Sequence, residues 1–407
     1  MILLLRDDAE KHNLHQSKNQ VIDQCQNKFG IPFHFENLGL EYSIVTDISG
    51  MDNSNAVIIY DISFFGNINL YIEEALPLIK PNIIDNVKSL SNFFIVFSCS
   101  QEGFNINLEI IKSWCITHNI SENKIILITG NSNYQKIYKD INHNFNIFYF
   151  PFFMRQSQQE IKNFKEKLIH KSIINNMNRQ YYWLSLNKVP RSHRIVHLGF
   201  IHKYGIQDKF LWSLSNDNHG TILDYKNDIV RHLFWLEDLE LKTWLEEKFL
   251  DFVQYPKPLD IPDFNNCKAT KLFSESLFTN SFFSVVTETD ISPDITFISE
   301  KIWKPIINLQ PFIVIGNPYT LKFLRQYGFE SFPEIFDESY DLELNQSKRI
   351  EMINSEILRI SKLNIKKIQE LYSSVKGKLI KNRNIICLNN NLYNDEINFK
   401  EFLLKRH

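Results

Sequence analysis

The stretch Phe297–Gly316, FISEKIWKPIINLQPFIVIG, decides the fold prediction for this chain. Its Ser-Glu-Lys triplet opens a helical segment, and the apolar run PFIVIG that follows is typical of a buried strand. A second apolar run, SFFSVVTET from Ser281, comes just before the triplet. Strand, helix and strand in this order predict a parallel β-α-β unit whose helix begins at the triplet.

The same alternation runs through most of the chain. Four short runs in the first half are rich in Ile, Val and Phe, as in strands buried on both faces: Val57–Tyr60, Phe93–Cys99, Lys124–Thr129 and Ile147–Phe150. Helical segments such as 108–118 and 133–140 lie between them. A polar stretch, Arg155–Arg179, predicts a solvated linking helix, and the second half repeats the alternation from YYWLSLN onward.

We therefore expect an α/β protein with two doubly wound domains facing a central cleft. The predicted boundaries are an N-terminal domain over 1–160, a linker helix over 161–180, a second domain over 181–345 and a C-terminal helical tail over 346–407. Ligands of such sheets bind beyond the carboxyl ends of the strands, so the residues after each apolar run are the site candidates.

Composition narrows the class of protein. The chain has 407 residues, a formal net charge of −2 and a pI near 6.6, which argues against a nucleic-acid partner. Five scattered cysteines predict reduced thiols in a cytoplasmic protein. The opening MILLLRDD is too short in apolar residues for a signal peptide, and no run reaches the roughly 18 apolar residues of a membrane span.

The triplet itself predicts an anion site. Ser299 is a good N-cap, which places Glu300 and Lys301 in the first helical turn, where free N–H groups and the helix dipole attract a diphosphate. The carboxylate of Glu300 suits hydroxyl donors such as those of a ribose. Alternatively, Glu300 offsets the helix dipole and Lys301 is solvated. Pro305 is expected to kink or shorten this helix.

A second candidate is SLNKVPRSHR, Ser185–Arg194, where a strand ends near Asn187 and a helix follows. Arg191 and Arg194 at a helix start oppose the dipole, whereas their guanidinium forks suit phosphate oxygens. A structural ion pair across the domain explains either arginine equally well. We expect His193 to be a surface or cap residue.

The third candidate is Glu102, which directly follows the strand FFIVFSC and could act as a general base. A plain loop glutamate is the simpler interpretation of its position, and Asp61 and Glu36 compete for the same role. The chain contains no phosphate-binding P-loop, no G-x-G-x-x-G after a strand, no H-E-x-x-H and no G-x-S-x-G. It has no D-x-D after a strand either, so no metal or cofactor is predicted.

Taken together, these motifs resemble the α1,3-fucosyltransferase family. The matching segments are SVVTETD, ISEKIW and PFIVIGNP, with LSLNKVPRSHR, NIFYFPFFMR and SCSQEGFN earlier in the chain. The chain departs from the family in a Glu288–Glu300 spacing about two residues longer, in Thr289 where the family has Asn, and in Pro305. It is also similar to a broader set of bacterial and viral glycosyltransferases that share S-E-K-x-x-K-P and D-E-S-Y-D, here Asp337–Asp341.

The resemblance implies a GT-B glycosyltransferase that is metal-independent and inverting. Its donor would be a nucleotide sugar, fucose-like with GDP favoured, and its acceptor an oligosaccharide or lipid-linked glycan, with peripheral membrane contact left open. Glu102 would be the general base. The expected donor-binding residues are Asn187, Arg191, Arg194, Glu288, Glu300, Lys301 and Lys304. Two alternatives are a non-catalytic GT-B protein that binds a nucleotide sugar or glycan, and a GT-B sugar-nucleotide epimerase.

Overall fold

The computed structural model describes residues 1–5, 30–51, 55–63, 68–103, 105–163, 170–187, 190–214, 233–253, 275–388 and 391–406. The strands are β1 (Ile2–Leu5), β2 (Tyr42–Val45), β3 (Val57–Ser63), β4 (Phe93–Cys99), β5 (Ile125–Thr129), β6 (Asn146–Tyr149), β7 (Tyr181–Leu186), β8 (Phe210–Ser213), β9 (Ser281–Thr287) and β10 (Phe312–Ile315).

The helices of the same ranges are α1 (Ile31–Leu38), α2 (Ile68–Ala75), α3 (Pro81–Ser89), α4 (Leu108–His118), α5 (Tyr134–Tyr138), α6 (Phe152–Asn163), α7 (His170–Asn175), α8 (Ser192–Lys203), α9 (Leu239–Val253), α10 (Glu275–Thr279), α11 (Glu300–Ile307), α12 (Thr320–Gln326), α13 (Gln346–Ser361), α14 (Ile365–Ser374), α15 (Lys376–Leu388) and α16 (Asn394–Leu404).

The chain forms two compact units, each with its own parallel sheet. Unit 1 comprises Met1–Arg155, Ile295–Phe297 and Asn390–His407, and unit 2 comprises Gln156–Asp294 and Ile298–Asn389. The strand order is β2-β1-β3-β4-β5-β6 in unit 1 and β10-β9-β7-β8 in unit 2, with all pairs parallel. The α/β prediction with two parallel-sheet halves is thereby confirmed.

The core of unit 1 covers both faces of its sheet. All seven residues of β4 are buried, with Phe93, Ile95 and Phe97 in one apolar cluster and Phe94 and Val96 in the other. This two-sided burial explains why the strand has no polar alternation in the sequence. The carboxyl edge is therefore the part of this sheet where polar loop residues collect.

Unit 2 packs aromatic rings on one face of its sheet. Trp183 lies 5.4 Å from Phe283, 6.0 Å from Phe210 and 5.9 Å from Phe336 between ring centroids. The opposite face carries an apolar cluster that includes Leu184. Since successive strand residues point to opposite faces, the aromatic and aliphatic sides follow directly from the sequence YYWLSL.

The stretch Arg155–Arg179, predicted to be a solvated helix, is buried at both ends. Arg155 is 3% exposed and pairs with Glu396 of α16, its Nε donating to Oε1 at 2.6 Å. Arg179 is 4% exposed and donates to the Phe278 carbonyl at 2.9 Å and to the Tyr372 hydroxyl at 2.8 Å. The expectation of solvation is wrong here because each guanidinium finds fixed acceptors inside its unit.

The predicted helical tail consists of several separate helices. Residues 346–388 form α13, α14 and α15 in unit 2, whereas α16 belongs to unit 1. The periodic pattern over 347–378 is interrupted because Asn364 caps α14, its Oδ1 accepting from the N–H of Lys367 at 2.9 Å. In α16, Phe399 and Leu403 complete one core cluster of unit 1.

Candidate functional site

The carboxyl edge of the unit 2 sheet has a switch point between β7 and β9. From β7 the chain moves through α8 to β8 on one side, and from β9 it moves through α11 to β10 on the other. Because parallel crossovers are right-handed, α8 and α11 lie on opposite faces, and a crevice forms where the two strands part. The residues that follow these strands, with the first turns of both helices, form the candidate site.

Asn187 directly follows β7 and joins neighbouring strands. Thr287 donates through Oγ1 to Asn187 Oδ1 at 2.6 Å, and Asn187 Nδ2 donates to Ser185 Oγ at 3.2 Å. Its backbone N–H donates to Ser213 Oγ, at the end of β8, at 3.1 Å. Both polar side-chain atoms of Asn187 therefore bond within the protein, and the residue fixes the spacing of three strand ends.

Glu288 follows β9 and is fully buried. Its carboxylate accepts hydrogen bonds from the hydroxyl and, at 3.4 Å, the backbone N–H of Ser299. Burial raises the pKa of Glu288, and Lys301 and the Ser299 donors offset only part of that rise. Gly316 at the end of β10 comes so close that an added Cβ would lie 3.2 Å from Glu288 Cβ and Cγ. Glu288 thus holds the residue before α11 in place.

Ser299 is the N-cap of α11, as the sequence predicts, and its Oγ accepts from the N–H of Lys301 at 3.3 Å. Pro305 lies inside this helix of eight residues, which ends two residues later at Ile307. The helix is therefore short, with two turns. Lys301 and Lys304 lie three residues apart and so share one side of it.

The ammonium group of Lys301 has three protein acceptors. Its Nζ donates to Glu300 Oε1 at 2.9 Å, to Ser299 Oγ at 3.1 Å and to Thr289 Oγ1 at 3.2 Å. Burial raises the pKa of Glu300, but Lys301 and Lys304 lower it by more, so the carboxyl group is ionised at neutral pH. The site thus contains a paired carboxylate and ammonium in the first turn of α11.

The start of α8 reaches the same strand end from the other face. His193 Nε2 lies 2.9 Å from the Glu288 carbonyl oxygen, and Arg194 NH2 donates to the carbonyls of Thr287 and Glu288 at 3.1 and 3.0 Å. Burial and the Arg194 charge hold the pKa of His193 well below its ordinary value. His193 is therefore a neutral donor through Nε2, and the expectation that it is a surface or cap residue is wrong. Arg191 is exposed at the N-cap of α8.

A small pocket that opens to solvent extends from this edge between α11 and the face of the sheet that carries Leu184. Lys301 and Lys304 line one side of it. The remaining lining is mostly apolar: Leu184, Leu186, Phe278, Ser284, Val285, Val286, Thr287 and Pro305. Two cations beside an apolar slot can hold an anionic group attached to a flat or apolar body.

Six of the seven predicted site residues of unit 2 fall into two groups, and the seventh, Arg191, is exposed at the N-cap of α8. Asn187, Arg194 and Glu288 make hydrogen bonds that fix the strand ends and helix starts. Lys301 and Lys304 face the pocket, with Glu300 bonded to Lys301. The first group builds the site and the second group presents charge to it.

In unit 1, Glu102 lies in the turn after β4, where its N–H donates to the Cys99 carbonyl at 3.0 Å, and it is partly exposed. Gly130, directly after β5, packs against this turn. A Cβ at Gly130 would lie 2.5 Å from the Ser100 carbonyl oxygen and 2.6 Å from that of Glu102. The glycine therefore allows the two strand-end loops to approach each other closely.

A buried histidine supports the same turn. His34 of α1 lies with Nδ1 2.8 Å from the Gly30 carbonyl oxygen and Nε2 2.9 Å from Ser100 Oγ. Burial lowers the pKa of His34 to about 4, so the ring is neutral. Because a carbonyl oxygen only accepts, Nδ1 carries the proton and Nε2 accepts from the serine hydroxyl. His34 thus anchors the first residue of the Glu102 turn.

Three residues that come late in the sequence complete this edge of unit 1. Thr296 donates its N–H to Asn131 Oδ1 at 3.0 Å, and Phe297 lies 5.9 Å from Phe153 between ring centroids. A Cβ at Gly103 would lie 2.5 Å from Phe297 Cβ. The Glu102 turn is therefore packed against a segment that immediately precedes Ile298 and Ser299 in the chain.

The two competing base candidates occupy different surroundings. Asp61 is fully buried inside β3, which continues to Ser63, and Ser63 Oγ donates to its oxygens at 3.2 and 3.3 Å. Glu36 is exposed on α1 and lies 3.5 Å from the Tyr42 hydroxyl. Glu102 is partly exposed in the turn after the central strand β4, a position that suits a group that must meet a substrate.

The D-E-S-Y-D motif is structural in this fold. Asp337 caps the short 3-10 helix Glu338–Leu342 and Glu338 accepts from the N–H of Phe332 at 2.6 Å. Asp341 accepts from the N–H groups of Leu321 and Lys322 at 2.8 and 2.9 Å, which caps α12. The motif therefore positions the helix after β10.

Within the described ranges, no group of three or more His, Cys, Asp or Glu side chains is placed to hold a metal ion. No helix of those ranges is long and apolar enough to cross a membrane. Cys99, Cys115 and Cys387 are thiols, and Cys25 and Cys267 lie outside the described residues.

No protein-family model and no curated protein matches the chain. Among solved structures, it is similar to an alpha,alpha-trehalose 6-phosphate synthase from Burkholderia multivorans, with 8% identity, a TM-score of 0.41, and 92% of this chain and 76% of that chain covered. A second is the UDP-forming alpha,alpha-trehalose-phosphate synthase from Burkholderia vietnamiensis, with 8% identity, a TM-score of 0.40, and coverage of 92% and 81%. Likenesses this weak do not indicate a shared activity.

Sequence reasoning missed the roles of Ser100, His34 and Thr289. His34 and Ser100 are 66 residues apart, so no local pattern connects them. Thr289 stands out in the sequence only because the resembling family has asparagine there, and its contact with Lys301 through the hydroxyl is not indicated. A signal was available for Gly130, because a glycine directly after a buried strand often marks close backbone approach.

Proposed function

We propose that the chain is a GT-B glycosyltransferase whose unit 2 binds a nucleotide-sugar donor at the β7/β9 switch point. The observation that carries the proposal is the meeting of the first turns of α8 and α11 there, next to a pocket lined by Lys301 and Lys304.

The diphosphate is held by Lys301 and Lys304 at the N-terminal end of α11. Both lysines line the pocket, and the helix dipole adds partial positive charge at its N-terminus. Arg194 and His193 act indirectly, because their bonds to the Glu288 carbonyl keep the two helix starts together. The leaving diphosphate is stabilised by these cations as its negative charge develops.

The nucleoside is expected beside the diphosphate. Glu300 accepts hydrogen bonds from ribose hydroxyls, and the apolar pocket lining takes the flat face of the base. The resemblance to α1,3-fucosyltransferases favours GDP and a fucose-like sugar. The pocket lining supports a nucleotide in general.

The acceptor reaction is assigned to Glu102. Its carboxylate takes the proton of an acceptor hydroxyl while that oxygen bonds to the anomeric carbon. The bond from the anomeric carbon to the diphosphate breaks, and its electron pair leaves with the diphosphate oxygen. The transition state is oxocarbenium-like, and inversion follows from the family resemblance. The acceptor is proposed to be an oligosaccharide or lipid-linked glycan.

Calorimetric titration with GDP and UDP, without added metal, tests the donor site. Lys301→Ala should weaken binding of the preferred nucleotide about 10- to 100-fold, because a charge-assisted hydrogen bond contributes roughly 1.5–3 kcal/mol. Lys378→Ala is the matched control: Lys378 is 26% exposed and pairs with Glu334, against 24% for Lys301. If wild type binds neither nucleotide, or both variants bind equally well, the donor site is wrong.

Transfer onto an oligosaccharide mixture, measured as nucleoside diphosphate release, tests the base. Glu102→Gln keeps the side-chain size and should lower turnover by at least about 100-fold, the range of general base catalysis, with nucleotide binding unchanged. Glu109→Gln, in the first turn of α4, is the control, because it removes the same charge as Glu102→Gln. Full activity of Glu102→Gln would contradict the assignment of the base.

A further inference from the structure

The ammonium group of Lys301 is saturated before any ligand arrives. An ammonium has three N–H donors, and Glu300, Ser299 and Thr289 supply three acceptors within 3.2 Å. A phosphate oxygen can therefore bond to Lys301 only if one of these acceptors leaves.

Glu300 is the acceptor that leaves, because an arriving anion repels its carboxylate and does not repel the neutral hydroxyls of Ser299 and Thr289. Ser299 is 1% exposed and bonded to the buried Glu288, so its hydroxyl stays in place. The long side chain of Glu300, in the first turn of α11, is 18% exposed. Rotation about its side-chain bonds moves it away from Lys301 without disturbing the helix.

A displaced Glu300 carries its charge with it. A carboxyl group that turns from Lys301 toward solvent approaches the ordinary glutamate pKa, roughly 4.3, and stays ionised at neutral pH. A carboxylate beside a bound anion, in a partly desolvated pocket, opposes binding unless new donors satisfy it. Two adjacent hydroxyl groups on the ligand provide such donors.

We propose that Glu300 determines specificity at this site: it is the counter-ion of Lys301 when the site is empty, and it admits a diphosphate only when the ligand also brings vicinal hydroxyls. This inference rests on the proposed donor site and deepens it. Inorganic pyrophosphate lacks the hydroxyls and is rejected, whereas a ribonucleoside diphosphate supplies them. The Lys301–Glu300 pair and the pocket that Lys301 lines carry the argument.

Competitive calorimetry with pyrophosphate, GDP, UDP and the 2′-deoxy form of the preferred nucleotide tests the inference. Wild type should bind the ribonucleotide at least 100-fold more tightly than pyrophosphate. In Glu300→Gln, pyrophosphate should bind at least tenfold more tightly and the preference for ribo- over deoxynucleotide should disappear. The ratio of the ribonucleotide affinity to the pyrophosphate affinity then falls at least tenfold, which corresponds to about 1.4 kcal/mol of binding free energy.

Glu334→Gln is the matched control, since Glu334 pairs with Lys378 at 2.6 Å in the same unit and should leave the ratio unchanged. Thermal melting checks that each variant is folded, and Glu300→Ala repeats the charge removal if the glutamine variant unfolds. If wild type binds nucleotide and the ratio of ribonucleotide to pyrophosphate affinity is unchanged in Glu300→Gln, the inference is wrong and the proposed donor site is not affected. A wild type that binds no nucleotide overturns the donor site itself, and the inference with it.

Discussion

Acidification should destabilise unit 1 through His34, the buried ring beneath the Glu102 turn. Its pKa is lowered from 6.5 to about 4 by burial. The unfolded chain therefore takes up a proton below pH 6.5 that the folded unit takes up only near pH 4. Stability from this group is fully present above pH 6.5 and is lost as the pH falls through that window.

The magnitude follows from the size of the shift. A difference of about 2.5 pKa units at roughly 1.36 kcal/mol per unit gives about 3 kcal/mol in total. At pH 5, part-way through the window, the loss is about 2 kcal/mol. This is a large part of the marginal stability of a domain. Protonation would also remove the acceptor for the Ser100 hydroxyl and release the first residue of the turn.

The assay is urea unfolding read by hydrogen exchange in peptides from β4 and β5, at pH 7.5 and pH 5, for wild type and His34→Asn. Asparagine keeps a donor for the Gly30 carbonyl and cannot titrate. The stability gap between the two proteins should shrink by about 2 kcal/mol at pH 5. Ile83→Val, in the other core cluster of unit 1, should show the same gap at both pH values. An unchanged gap for His34→Asn would refute the reasoning.

Three further predictions concern the supports of the site. Gly130→Ala should lower turnover and melting temperature, because its Cβ would meet backbone oxygens including that of Glu102 at 2.6 Å, and backbone cannot rotate away. Asp341→Ala should cost about 1–2 kcal/mol of unfolding free energy in urea through loss of the α12 cap, with nucleotide affinity unchanged. Gly316→Ala should cost roughly 1–3 kcal/mol, since Glu288 lies 3.2 Å from the new Cβ, and calorimetry should show weaker nucleotide binding as α11 shifts.

The strands and the helix starts could be predicted from the sequence because they depend on local physics. FFIVFSC and SFFSVVT are short runs rich in Phe and Val that contain no charged residue, and both are strands buried on two faces. Ser299 was predicted as an N-cap from its position alone, and its side chain does accept from Lys301 N–H. By contrast, the sequence does not predict β1, because four apolar residues are too few to show the pattern of a strand.

Contacts between distant segments could not be predicted. The passage of Ile295–Phe297 into unit 1 depends on Gly103 leaving room for a ring, and nothing near position 103 indicates a partner almost 200 residues away. The burial of Arg155 likewise depends on Glu396 in a helix near the end of the chain. A polar stretch looks solvated until its acceptors are known, and a single sequence does not name them.

The different roles of the charged residues in unit 2 explain why the Ser-Glu-Lys triplet indicates the candidate site better than the arginines do. Arg194 and Glu288 lie at the strand end, yet their hydrogen bonds go to carbonyls and to Ser299, because buried polar groups must be satisfied inside the fold. The charges that face the pocket therefore come from α11. A donor site at this edge depends on where one short helix begins, since the N-cap at Ser299 places Lys301 in the first turn of α11. Glu288 and Ser299 fix that start through their hydrogen bonds, so we expect the buried Glu288 carboxylate to be needed for binding at the proposed site.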